Sequence, residues 1–216
     1  MKKIAVIIFV LFSVILNAEK ITIAFPPPAL VGTPQPIKID PKNIDNSSAP
    51  RELDLPAGTQ NLARGKTVSA SDDLLIVGEL NYITDGDKDG DEGYEVELAP
   101  GLQWVQIDLE KSAQIYAIAL WHYHRQKRVY HDVVIQCSND ATFQKNVTTI
   151  FNNDFDNSAN LGRGNDKVYI ETHLGKIIVP AKSVPAARYW RFYSNGNTSD
   201  GGNHYIEIEL FGNYKK

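Results

Sequence analysis

The chain has 216 residues, 43% hydrophobic and 22% charged. That is enough apolar material for a one- or two-domain core, and it excludes a disordered or fibrous protein. With 22 basic against 26 acidic residues the formal charge is -4, so no basic face can release counterions from a nucleic-acid backbone, which excludes DNA and RNA as partners. Ten Tyr, eight Phe and three Trp beside a single cysteine, Cys137, point to a β-rich, aromatic-packed fold without a disulfide.

Residues 1–18 read MKKIAVIIFVLFSVILNA. Lys2 and Lys3 precede an apolar run from Ile4 to Leu16, and the small Ala18 follows, which is the pattern of a secretory signal peptide cleaved after Ala18. The run falls short of the roughly 20 residues that a bilayer span requires, and no cysteine follows it to carry a lipid. Removing Lys2 and Lys3 leaves 20 basic against 26 acidic residues, a charge of -6. The expected product is an acidic protein, secreted or periplasmic, with no stable membrane insertion.

Residues 19–59 hold eight of the eleven prolines, between Pro26 and Pro56. Such spacing blocks helix and central strand alike. The stretch reads as a Pro-rich extended leader that lays short pieces such as ITIAF along a domain edge and is dispensable for the core.

Residues 60–213 change character, to short β-branched and aromatic runs broken by Gly, Asn and Asp, the pattern of an antiparallel sandwich. The expected strands are KTVSAS, LQWVQIDL, QIYAIALWHYH, HDVVIQCS, TTIFN, KVYIE, KIIVP, ARYWRFY and YIEIELFG, with one helical turn or two near Asp140 to Lys145. AIALW is apolar on both faces, as in a strand covered on both sides. In YIEIEL, Tyr205, Glu207 and Glu209 alternate with Ile206, Ile208 and Leu210, so one face is wet or liganded and the other buried. Cys137 sits in an apolar run, where a small buried hydrophobe is expected.

From Asp85 to Glu97, seven of thirteen residues are carboxylates, opposed only by Lys88. A hard divalent cation with oxygen ligands would relieve the repulsion, Ca²⁺ being favoured outside cells; the alternative is a solvated acidic turn. Asp85, Asp87, Asp89, Gly90 and Asp91 imitate the start of an EF-hand loop, but Val96 stands where that loop needs its bidentate Glu. His122 and His124, with His131 as a possible third group, suit Zn²⁺, ligand contact or plain packing. The turn SNGNTSDGGNHY is rich in hydrogen-bonding groups that serve hydroxyl recognition and hairpin formation equally.

NLARGKTVSAS, YITDG, LQWVQIDL, VVIQCSNDATF, ARYWRFY and YIEIELFG, in that order, resemble the discoidin, or coagulation-factor type C, domain. The resemblance implies a galactose-binding-like jelly-roll β-sandwich over about Asn61 to Gly212. The missing pair of terminal cysteines points to the bacterial, sugar-binding side of that family. It also implies a structural Ca²⁺ held by Asp85, by donors near Tyr82 and Asp87, and by Glu207. The family's ligand loops fall around Asp73 to Glu79, His122 to Tyr130 and Asn195 to His204. Within them His124, Arg128, Asn197 and His204 are the expected hydrogen-bonders, and Tyr123 or Tyr130 the stacking ring.

No G-x-S-x-G, H-E-x-x-H, C-x-x-C or phosphate-cradling loop is present, and the acids cluster instead of facing each other across a cleft. The expectation is a non-catalytic protein. Two function classes stay open: a module binding a glycan or polysaccharide, and an adhesive domain binding a protein or cell-surface partner.

Overall fold

The computed structural model describes residues 17–33 and 36–215. Most of the expected signal peptide, residues 1–16, lies outside them. Thirteen strands follow in chain order: β1 (Ala18–Thr22), β2 (Ile44–Asp45), β3 (Glu52–Pro56), β4 (Gln60–Asn61), β5 (Thr67–Ala70), β6 (Val96–Leu98), β7 (Leu102–His122), β8 (Val134–Ser138), β9 (Thr148–Asn152), β10 (Val168–Tyr169), β11 (Lys176–Ile178), β12 (Ala187–Asn195) and β13 (Asn203–Tyr214). All nine runs expected to be strands are among them, two joined into the single strand β7.

That junction makes the sandwich. Glu110, at φ 66, turns the chain in the middle of β7. Before it, β7 pairs with β5 and β12, and β12 carries β8 and then β9. After it, β7 pairs with β11 and β13. One strand thus belongs to two layers, and the side chains between them form the main core. Val105, Ile107, Ile135, Trp190 and Phe192 from one layer meet Ile115, Ile118, Leu120, Ile208 and Leu210 from the other. Cys137 is in this core, and burial pushes its thiol up to about 12, so it acts as a small hydrophobe.

The second layer is covered on its outer side as well. β1 pairs antiparallel with β3, and Ile23, Leu53 and Leu55 pack on Ala117, Ala119, Trp121, Ile206 and Phe211. This is why AIALW is apolar on both faces. The Pro-rich stretch is therefore packed onto the sandwich, and it adds a second attachment where β2 pairs parallel with β10 and Asp45 meets Lys176.

Two expectations fail locally. The alternation in YIEIEL breaks at the register shift between Tyr205 and Glu207, which sends Tyr205 into the core with Ile208 and Leu210 and Ile206 to the outer face with Glu207 and Glu209. Both glutamates are buried, not wet, because the Asp85–Gly90 loop folds over that face. Lys88 from that loop reaches Glu209 at 2.7 Å and lies 4.9 Å over the Trp121 ring. The Asp140–Lys145 stretch is an irregular turn. Phe143 takes φ 55, and the Asp140 carboxylate accepts the backbone N–H groups of Thr142, Gln144 and Lys145, which displaces helical hydrogen bonding. Among the described residues no helix is long and apolar enough to cross a membrane.

Candidate functional site

The end of β7, the start of β13 and the loops beside them meet at one end of the sandwich. A pocket of about 300 Å³ opens there, lined by Glu92, Glu95, Tyr123, Gln126, Arg128, Asp200 and His204, with Val31 as one wall. Tyr123, Arg128 and His204, three of the expected ligand residues, come together in it. Asn197 lies just behind, donating to Asp200 Oδ1 at 2.6 Å and to the Gly202 carbonyl at 2.8 Å, so it shapes the loop that presents Asp200.

Arg128 is only 2% exposed. Its guanidinium donates to Asp200 Oδ2 at 2.8 Å and Gln126 Oε1 at 2.7 Å and lies 4.8 Å over the Tyr123 ring. The half-buried Tyr123 ring is thereby held in place from one side. His204 Nδ1 is 3.0 Å from the Tyr130 hydroxyl. A phenol donates to that nitrogen, which leaves the proton on Nε2. Burial lowers the His204 imidazole to about 4, the nearby Arg128 working the same way and Asp200 against it, so the ring is neutral at neutral pH. Its Nε2 lies 3.5 Å from Glu97 Oε1 and makes no hydrogen bond among the described residues.

Two expected ligand residues are placed elsewhere. Tyr130 is fully buried and stacks on His122 at 4.2 Å, so its ring is unavailable and its hydroxyl works through His204. His124 lies beyond the end of β7 and turns away from the pocket, its Nε2 2.8 Å from the Lys88 carbonyl. His122 Nδ1 meets Glu171 Oε1 at 2.7 Å. The two histidines thus go to separate partners, and the strand alternation that suggested a Zn²⁺ pair ends between them.

The acidic loop and the last strand do meet. Gly86, at φ 82, turns its N–H to Glu207 Oε2 at 2.9 Å, and only glycine takes that conformation without strain. Glu207 Oε1 is buried with no partner among the described residues, and burial pushes the carboxyl up to about 9. Asp85 and Asp87 are exposed beside it, the Asp85 carboxylate accepting the Asp87 N–H at 2.8 Å. The flanks are a 3₁₀ turn, Leu80–Thr84, and β6, so the EF-hand likeness stops at spacing.

A tighter carboxylate group lies elsewhere and had no sequence signal. Asp132, Asp154 and Asp156 bring one oxygen each within 4.8 Å of one another, a set able to hold a metal ion. Ser158, Ala159 and Asn195 already donate to these carboxylates. Val31 was equally illegible. Its N–H donates to the Arg125 carbonyl at 2.7 Å, which carries the leader to the pocket edge.

No family model matches the chain, and no curated protein matches it. Solved structures do. A selenomethionine-labelled mutant of chitosan-binding module 1, from a chitosanase/glucanase of Paenibacillus sp. IK-5, is 22% identical with TM-score 0.51, covering 71% of this chain and 99% of that module. A family 89 glycoside hydrolase from Clostridium perfringens is 20% identical with TM-score 0.52, over 72% of this chain and 15% of the hydrolase. With its two layers, its shared strand and these neighbours, the chain has the galactose-binding-like β-sandwich fold that its sequence resembled.

Proposed function

We propose that this chain is an exported, non-catalytic carbohydrate-binding module that takes a glycan in the pocket beside Tyr123. The observation that carries the reading is the convergence, in one pocket, of a half-buried aromatic ring and groups that pair with hydroxyls: Arg128, Asp200, Gln126 and His204. A sugar ring needs that combination, an apolar face to lie on a ring and fixed donors and acceptors for its hydroxyls. The chitosan-binding module of like fold supports the ligand class. Export rests on residues 1–18 alone.

The same reading includes a structural Ca²⁺ between the Asp85–Asp87 loop and β13. The residues fit such an ion: Glu207 is a buried carboxyl with an oxygen that has no partner among the described residues, and the Gly86 N–H that it accepts brings the loop carrying the exposed Asp85 and Asp87 up to it. The ion would supply the positive charge that lets Glu207 ionise where it is buried and would pin loop to strand.

A glycan array that includes whole polysaccharides, run with Ca²⁺, tests the function. Binding to a glycan that Tyr123→Ala abolishes, with the melting temperature kept, supports it. An array without a binder, together with capture of a protein from the native surface, would replace it with the adhesive class.

A further inference from the structure

The pocket has an uneven charge. Arg128 is the one cation among its lining residues, and it is already paired with Asp200. Glu92 and Glu95 line the same space, and neither has an ion-pair partner among the described residues. Glu97 adds a third carboxyl behind them, against His204 Nε2. Crowding shows in its titration: burial first, then the Asp200 and Glu95 carboxylates, push Glu97 above its ordinary value. His204 cannot offset this charge, because it is neutral and 95% buried, lining the pocket with an Nε2 that makes no hydrogen bond among the described residues and lies 3.5 Å from Glu97 Oε1.

The geometry points to a sugar carrying a protonated amine as the ligand. Its ring lies against Tyr123, its hydroxyls pair with Asp200 and the His204 Nε2–H, and its ammonium faces Glu92 and Glu95. A neutral sugar would use the first two features and leave the carboxylates unanswered. An anionic one would add to the repulsion. Selection by charge is thus built into the wall that the acidic loop supplies. This inference rests on the glycan reading of the same pocket.

Calorimetric titration of the full chain with a glucosamine oligosaccharide, its fully N-acetylated counterpart, a neutral glucan oligosaccharide of equal length, and oligolysine separates the possibilities. At mildly acidic pH the glucosamine oligomer should bind at least about tenfold tighter than its acetylated form, which lacks the charge. Added salt should shrink that ratio. Glu92→Gln with Glu95→Gln should remove the preference, bringing the affinities for the two oligomers together. Equal affinity for the two oligomers, or a preference untouched by the double substitution, overturns the inference with the glycan reading intact. Oligolysine binding as tightly as the glucosamine oligomer also overturns it. Failure of all three sugars to bind refutes both.

Discussion

Removing one leader side chain, by Leu55→Ala, tests whether residues before Gln60 are a linker or part of the packed fold. Leu55 is 4% exposed and Leu53 7%. Both lie with Ile23 against Ala117, Ala119, Trp121 and Phe211 on the outer face of β7 and β13. Truncating a buried leucine costs about 2–5 kcal/mol through lost transfer energy and the cavity left behind. In a chain of this length each kcal/mol lowers the melting temperature by about 2–4 °C, so a mid-range loss of about 3.5 kcal/mol moves it by roughly 7–14 °C. Leu30 is 70% exposed in the same leader, and Leu30→Ala should stay within about 0.5 kcal/mol. Thermal unfolding followed by circular dichroism reads both variants and a chain beginning at Gly58, which uncovers Trp121 and Phe211 and should melt lower still. A Leu55→Ala melt that coincides with the parent's, with the shortened chain melting likewise, would refute the argument and restore the linker reading.

Stability should also depend on His204. Its folded value, about 4, lies below the ordinary 6.5. The unfolded chain therefore holds more protons between those values, and the contribution is complete above about pH 6.5 and lost as pH falls toward 4, on the order of 3 kcal/mol at most. Glu97, raised, works in the opposite sense, so the measurement is the difference between parent and His204→Asn across that window; parallel curves would contradict the assignment. Chelation should lower the parent's melting temperature and leave Glu207→Gln unaffected, and elemental analysis should find calcium in the parent alone. Gly212→Ala should cost about 1–3 kcal/mol by urea denaturation, because the added Cβ overlaps the Gln114 carbonyl where β13 shifts register. A neutral result would mean that the β7–β13 seam is looser than its backbone contacts imply.

Local pattern was sufficient for the strands. Runs such as ARYWRFY and VVIQCS announce β structure by β-branched and aromatic content, and their order carried the resemblance that the sandwich repeats. Side-chain period also marked AIALW as covered on both faces. It could not say by what, since the cover comes from residues some 60 to nearly 100 positions earlier in the chain. YIEIEL misled for a related reason. Alternation assigns faces only while register is unbroken, and the shift after Tyr205 puts that ring in the core and Ile206 outside, while the folded-over acidic loop buries the two glutamates.

The pocket divides the same way. Residue type marked Tyr123, Arg128 and His204 as ligand chemistry, but His124 and Tyr130 looked equal to them in sequence. What separates them is where β7 ends and which ring fills the space beneath His204. Val31 and Glu95 carry no signal as pocket residues, because a loop residue's neighbours are set by distant backbone, through the Val31–Arg125 hydrogen bond and the bridge between Val77 and Glu97. Sequence by itself determined the β strands and the acidic loop, since each rests on periodicity or composition within a short window, whereas the loop's partner strand was implied only by the family resemblance. Only the tertiary structure decided that the leader is packed onto the sandwich and which polar groups share one pocket, because both depend on long-range closure that no local pattern encodes.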